Sequence, residues 1–147
     1  MKKFKFSLET VLDYKNQVLE ELKKEHSLIL ASIVKKQEEI AKLEADCALK
    51  NSKYNQKKKE GLPIQDAVSY ESHLKVYHKT IEDQYKLLET LQKKAELKQQ
   101  EVVAAKQEVS SYEKIKEKHL EAYNKVEQKA EEVFIDEFVS YKRSSSQ

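Results

Sequence analysis

From Leu8 onward, apolar residues recur at alternating steps of three and four. The series is Leu8, Leu12, Lys15, Leu19, Leu22, His26, Ile29, Ile33, Lys36, Ile40, Leu43, Cys47, Lys50 and Tyr54, and ten of its 14 positions are apolar or Cys. A second series in one unbroken phase runs Tyr70, Leu74, Tyr77, Ile81, Gln84, Leu88, Leu91, Ala95, Lys98, Val102, Ala105, Val109, Tyr112, Lys116, His119, Tyr123, Val126, Ala130 and Val133. A repeat averaging about 3.5 residues is the signature of helices that wind around each other in a left-handed sense. Lys15, His26, Lys36 and Lys50 weaken the first stripe, and either set its register or leave room for a third helix.

The two series are separated by Lys59-Glu-Gly-Leu-Pro-Ile-Gln-Asp66, which holds the only glycine and the only proline of the 147 residues. Glycine admits backbone angles that other residues avoid, and proline cannot continue a helix interior. The chain therefore has one inexpensive place to turn. The pattern predicts an all-α fold: two long helices forming an antiparallel coiled-coil hairpin over residues 1–147. Helix 1 is expected at about 8–57, the bend at 58–65 around Gly61–Pro63, helix 2 at about 66–141, and a frayed tail at 142–147. Ser7, with Thr10 competing, is the expected cap of the first helix, Phe6 and Val11 have the spacing of a hydrophobic staple, and Asp66 is the expected cap of the second. Exposed faces carry Glu-to-Lys pairs four apart, such as Glu82–Lys86 and Glu89–Lys93, each contributing about 0.2–0.5 kcal/mol.

If Tyr54 faces Tyr70 beside the bend, residue numbers of facing positions add to roughly 124. Helix 1 is then exhausted when helix 2 reaches about residue 117–123. About 20 residues of helix 2 outrun it, roughly 30 Å at about 1.5 Å per residue. That overhang contains Val133, Phe134, Ile135, Phe138, Val139 and Tyr141, spread over more than one helix face. An exposed apolar patch of this kind marks an interaction site. The competing expectation is that Phe4 and Phe6 fold over it.

Composition narrows the chemistry. Charged residues make up 37% of the chain but almost cancel, with 28 basic and 26 acidic, so the net charge of +2 gives no electrostatic footprint for nucleic acid. One glycine cannot build a phosphate-cradling loop. His73 and His78 lie five apart, about 140° around a helix, and do not converge. With a single cysteine, Cys47, neither a disulfide nor the usual metal spacing is available. Cys47 falls on the stripe and reads as a small hydrophobe. No cofactor, metal site or catalytic constellation is expected, and the chain reads as a non-enzyme. Lys5, Glu9 and Asp13 interrupt any signal-like run, and no apolar stretch approaches the roughly 20 residues of a membrane span, so the expectation is a cytoplasmic protein. Lys50, Lys53, Lys57, Lys58 and Lys59 concentrate positive charge next to the bend. This basic tip is either a solubilising cap or a docking surface for an acidic partner or anionic lipid.

Several stretches carry a family resemblance. The opening Phe4-Lys-Phe-Ser-Leu8-Glu-Thr-Val11-Leu12-Asp-Tyr14 resembles the start of the flagellar export protein family FliJ. So do Lys114-Ile-Lys-Glu-Lys118-His-Leu-Glu-Ala-Tyr123, the late Ile135-Asp136-Glu137, the Gly61-Leu-Pro-Ile64 bend and the Tyr70-Glu-x-x-Leu74 onset of helix 2. The likeness covers nearly the full chain. It implies a stalk-like coiled coil of the type III export apparatus, similar to the shaft of rotary ATPases. Its implied partners are the hexameric flagellar export ATPase, whose ring it enters and helps assemble, the export-gate membrane protein FlhA, and export chaperones. Its implied place is cytoplasmic, peripheral to the inner face of the cell membrane at the flagellar base. In the shaft analogy the ring meets Phe4, Phe6, Leu8, Val11, Leu12, Val133, Phe134, Phe138 and Tyr141. The resemblance carries the gate contact to His73, Tyr77, Thr80 and Gln84, where His73 and Thr80 are less apolar than the family pattern. Two other readings stay open: a self-associating scaffold that buries the flank of Val11, Val18, Val34 and Ala41, and a secretion chaperone.

Overall fold

The computed structural model describes residues 3–145. Two helices, α1 (Glu9–Glu60, 52 residues) and α2 (Ile64–Ser145, 82 residues), are joined by Gly61, Leu62 and Pro63 and pack as an antiparallel hairpin, with no strand among the described residues. The turn is tighter than the sequence pattern suggests, three residues instead of eight. Gly61 has φ +98°, a conformation costly for any side-chain-bearing residue. A Cβ there would meet nothing within 4 Å, so backbone strain and not space demands the glycine.

The helix ends differ from expectation, each for a local reason. α1 runs three residues past 57, because Lys57, Lys58 and Lys59 occupy its last turn, where cations oppose the negative end of the helix dipole. α2 starts at Ile64, not Asp66. Pro63 is the cap: its carbonyl accepts from the N–H groups of Asp66 (3.0 Å) and Ala67 (3.1 Å). Asp66 falls in the first turn, where a carboxylate is favoured. At the start of α1 the cap is Leu8, not Ser7. The Leu8 carbonyl accepts from Leu12 (2.9 Å), and Glu9 N–H donates to Phe6 (3.1 Å). The tail expected to fray from 142 continues α2 through Ser145. There the Ser144 and Ser145 hydroxyls donate to the carbonyls of Tyr141 (3.0 Å) and Lys142 (3.1 Å), satisfying acceptors that a helix end leaves open. Ser146 and Gln147 lie outside the described residues.

The packing divides into two units. The bend unit comprises residues 22–101. Its buried residues are Ile40, Cys47 and Tyr54 from α1 and Leu74, Leu88 and Ala95 from α2. Beside the bend, Cys47, Tyr54 and Leu74 form one cluster, with Leu62, Ala67, Tyr70, Tyr77 and Ile81 packed against it. The terminal unit comprises 3–21 with 102–145 and buries Phe6, Leu12, Leu19, Val102, Ala105 and Val109.

All of these buried residues except Phe6 belong to the two periodic series. Every position of the first series is buried or half-buried, its three lysines and His26 included. Four lysines of the two series are held by carboxylates. Lys15 reaches Glu108 (2.8 Å) and Lys116 reaches Glu9 (2.9 Å) in the terminal unit. In the bend unit Lys36 bonds Glu39 (3.1 Å) and Gln84 (2.7 Å), and Lys98 bonds Glu101 (2.8 Å) and Glu25 (2.9 Å). A lysine can lay its apolar stem in such a stripe and keep its head at the rim, where an acid meets it. The hydrogen bond to Glu108 holds the Lys15 ammonium above its usual pKa, and those to Glu101 and then Glu25 do the same for Lys98.

Candidate docking surfaces

The first surface lies in the bend unit. His73, Tyr77 and Thr80 stand on one flank of α2 at helical spacing and, with Val76, meet Leu43 and Lys50 of α1 around an open groove of about 320 Å³. Three of the four positions singled out for the gate are thus brought together. The fourth, Gln84, borders an adjoining depression with Glu39, Lys42, Leu43 and Asp46, and its side-chain oxygen accepts from Lys36. Leu43 belongs to both hollows. Tyr77 resolves an apparent conflict between burial and availability, being half-buried with one side in the packing and one on the groove. Leu43 and the exposed Val76 were not legible as site residues, and Lys50 was legible only as part of the basic tip, not as the α1 side of this groove. Val76 is outside the periodic series, and only its three-residue step from His73 and four-residue step to Thr80 place it on their flank.

The lysines beside the bend are not equivalent. Tyr54 and Tyr70 stack with centroids 5.1 Å apart and planes 2° apart. Lys58 Nζ sits 3.9 Å from the Tyr54 ring centroid, and Lys57 Nζ 5.6 Å from that of Tyr70. These two cations are part of the local packing. Lys53 and Lys59 are exposed. The buried Tyr54 hydroxyl donates to Glu71 (2.9 Å). Burial first, and then this acceptor, push its pKa up.

Lys50 differs from the other lysines of the two series. Among the described residues it has no carboxylate within ion-pair distance. Its ammonium stands 5.7 Å from the Tyr70 ring centroid, at the edge of the groove.

The second surface is the end of α2, in the terminal unit. Beyond Tyr123 every described residue except Glu127 is exposed, including Val126, Ala130 and Val133 of the periodic series. Phe134 is 67% and Tyr141 70% exposed, and Val133, Ile135, Phe138 and Val139 are also open. At about 100° per residue these six side chains sweep roughly 240° of the helix circumference, wider than one neighbouring helix can cover. Lys142 Nζ lies 5.0 Å from the Phe138 ring centroid.

The N-terminal aromatics do not cover this patch. Phe6 is buried and meets His119 edge-on, centroids 5.6 Å apart, while Phe4 tilts against Tyr123 at 5.5 Å. The nine positions singled out for the ring therefore separate by environment. Phe6 and Leu12 are buried, Phe4, Leu8 and Val11 are half-buried, and Val133, Phe134, Phe138 and Tyr141 are exposed.

No described helix is long and apolar enough to cross a membrane. Compared with known proteins, residues 4–147 match the sequence model of one family, described as flagellar FliJ protein. No curated protein and no solved structure matches the chain.

Proposed function

Because the chain belongs to the FliJ family of flagellar proteins, we propose that it is the non-enzymatic stalk of the flagellar type III export apparatus. In this reading the end of α2 enters the hexameric export ATPase ring, promotes its assembly and activity, and leaves the chemistry to the ATPase. The groove of His73, Tyr77 and Thr80 contacts the cytoplasmic portion of the export-gate membrane protein FlhA, with Gln84 at its margin. The protein works in the cytoplasm, peripheral to the membrane at the flagellar base, and export chaperones are further partners.

The single observation that carries the ring contact is the exposed patch of Val133, Phe134, Phe138 and Tyr141, which Ile135 and Val139 extend around the helix. An apolar surface spread over roughly 240° suits a socket that surrounds a helix better than one flat partner. The N-terminal residues take a narrower part than the shaft analogy assigned them. With Phe6 and Leu12 buried, they fix the base from which the exposed helix projects, and Phe4, Leu8 and Val11 contribute their half-exposed edges.

The test is a pull-down of the cognate export ATPase with the full chain and with a chain lacking residues 124–147. Full retention by the complete chain and loss by the truncated one is expected. Equal retention by both would overturn the assignment of the overhang.

A further inference from the structure

We infer that Lys50 is the carboxylate-receiving residue of the groove, meeting an acidic side chain that a partner protein presents beside an apolar one. The inference rests on reading the groove as a protein-docking surface. It adds the chemistry of what docks there.

Five lysines interrupt the two periodic series. Four of them, Lys15, Lys36, Lys98 and Lys116, are held by a carboxylate at 2.8–3.1 Å. Lys50 occupies the same kind of half-buried position and, among the described residues, has no such partner. Its neighbours explain the contrast. Asp46 borders the depression that Lys50 shares with Leu49, Lys53, Tyr70 and Tyr77, and Asp66 borders the one it shares with Lys57, Ser69 and His73, yet neither acid is in ion-pair contact with it. Lys50 is therefore a cation at the meeting point of three hollows, lying over the Tyr70 ring.

A half-buried ammonium without an acid contributes little to a helical interface that a leucine would strengthen. It does provide a site where an incoming carboxylate finds a donor already partly stripped of water. The walls specify the rest of the occupant. Leu43, Val76 and Tyr77 offer apolar contact, and His73 and Thr80 offer polar edges. The occupant that fits carries an aspartate or glutamate and an aliphatic side chain on the same face. Lys53 and Lys57, one heptad or less away, add positive field that speeds its approach. A phosphate-bearing membrane is the poorer fit, because the groove couples one cation to apolar walls.

The experiment uses the full chain and, as probe, the purified cytoplasmic portion of the export-gate protein, with affinity measured over a series of salt concentrations. Lys50→Met keeps the stem and removes the charge. It is expected to weaken binding about tenfold, the scale of one charge-assisted hydrogen bond. It should also flatten the salt dependence and raise the Tm. Lys50→Glu should weaken binding further. Tyr77→Ala should weaken binding without changing the salt slope. If Lys50→Met binds like the parent chain with the same salt slope while Tyr77→Ala binds poorly, the inference about Lys50 falls and the groove remains a docking surface. If the parent chain does not bind the probe, or neither substitution changes binding, both fall. Sedimentation of the chain with phosphatidylserine vesicles that is abolished by Lys50→Met would replace the acidic protein by a lipid phosphate.

Discussion

Phe6 lies edge-on against His119, with ring centroids 5.6 Å apart and planes inclined by 72°. A residue outside both periodic series thus becomes one of the buried residues of the terminal unit, and the aromatic end of α2 beyond it stays open. Two kinds of phenylalanine follow, one structural and one available. Phe6→Ala should lower the unfolding free energy by about 3 kcal/mol, as large buried aromatics do on truncation. Phe134→Ala with Phe138→Ala should leave the Tm within about 2 °C, because exposed substitutions shift stability by only about 0.5 kcal/mol. The double change should instead reduce retention of the export ATPase. Thermal melts by circular dichroism, with the pull-down, separate the two. A large loss of helicity in the double variant would make the patch structural.

Gly61 sits at φ +98° with open space where a side chain would go. Gly61→Ala should cost about 1–2 kcal/mol through backbone strain alone. Because no neighbour must move, Gly61→Asn should cost less than Gly61→Ala, as asparagine tolerates positive φ better. Denaturant midpoints of the three chains test the order, and equal midpoints would contradict a strained turn.

Lys57 and Lys58 lie over the tyrosine rings, whereas Lys53 and Lys59 are exposed and make no such ring contact among the described residues. Lys57→Gln and Lys58→Gln should each lower stability by about 0.5–1 kcal/mol, the scale of a surface cation–aromatic contact. Lys53→Gln and Lys59→Gln should be near neutral. Chemical denaturation of the four single variants decides this, and four identical curves would show that the ring contacts carry no stability.

Alkaline pH should loosen the hairpin. Folding holds the pKa values of Lys15 and Lys98 above the ordinary lysine value, through Glu108 and through Glu101 with Glu25. It also raises those of Tyr54 and Tyr123, chiefly by burial, and of Tyr85, chiefly through its hydrogen bond to Glu44. For every one of these groups the folded chain binds its proton more tightly than the unfolded chain. The stability they add is complete below about pH 10, the ordinary tyrosine value. It is lost as pH rises through the raised values. Melting temperatures should therefore fall above about pH 10, and Lys15→Gln with Lys98→Gln should make that fall shallower. An unchanged pH profile in the double variant would remove the lysines from the account.

The sequence alone determined much of this protein because helices are local objects. One glycine, one proline and an uninterrupted 3,4 spacing place two long helices, their bend and the stripe that each one buries. Tyr54 opposite Tyr70 is enough to set the facing register, which the pairs Lys15–Glu108 and Glu9–Lys116 keep in the terminal unit and Glu25–Lys98 keeps in the bend unit. Spacing along one helix says nothing about contacts across to the other, since a shift of one residue turns a side chain by about 100°. Only the tertiary structure decided that Phe6 closes on His119 instead of the Phe134–Tyr141 patch, that Leu43 and Lys50 complete the groove of His73, Tyr77 and Thr80, and that four lysines find carboxylates and Lys50 does not. Those outcomes depend on side-chain reach between helices, which no pattern within a single helix records.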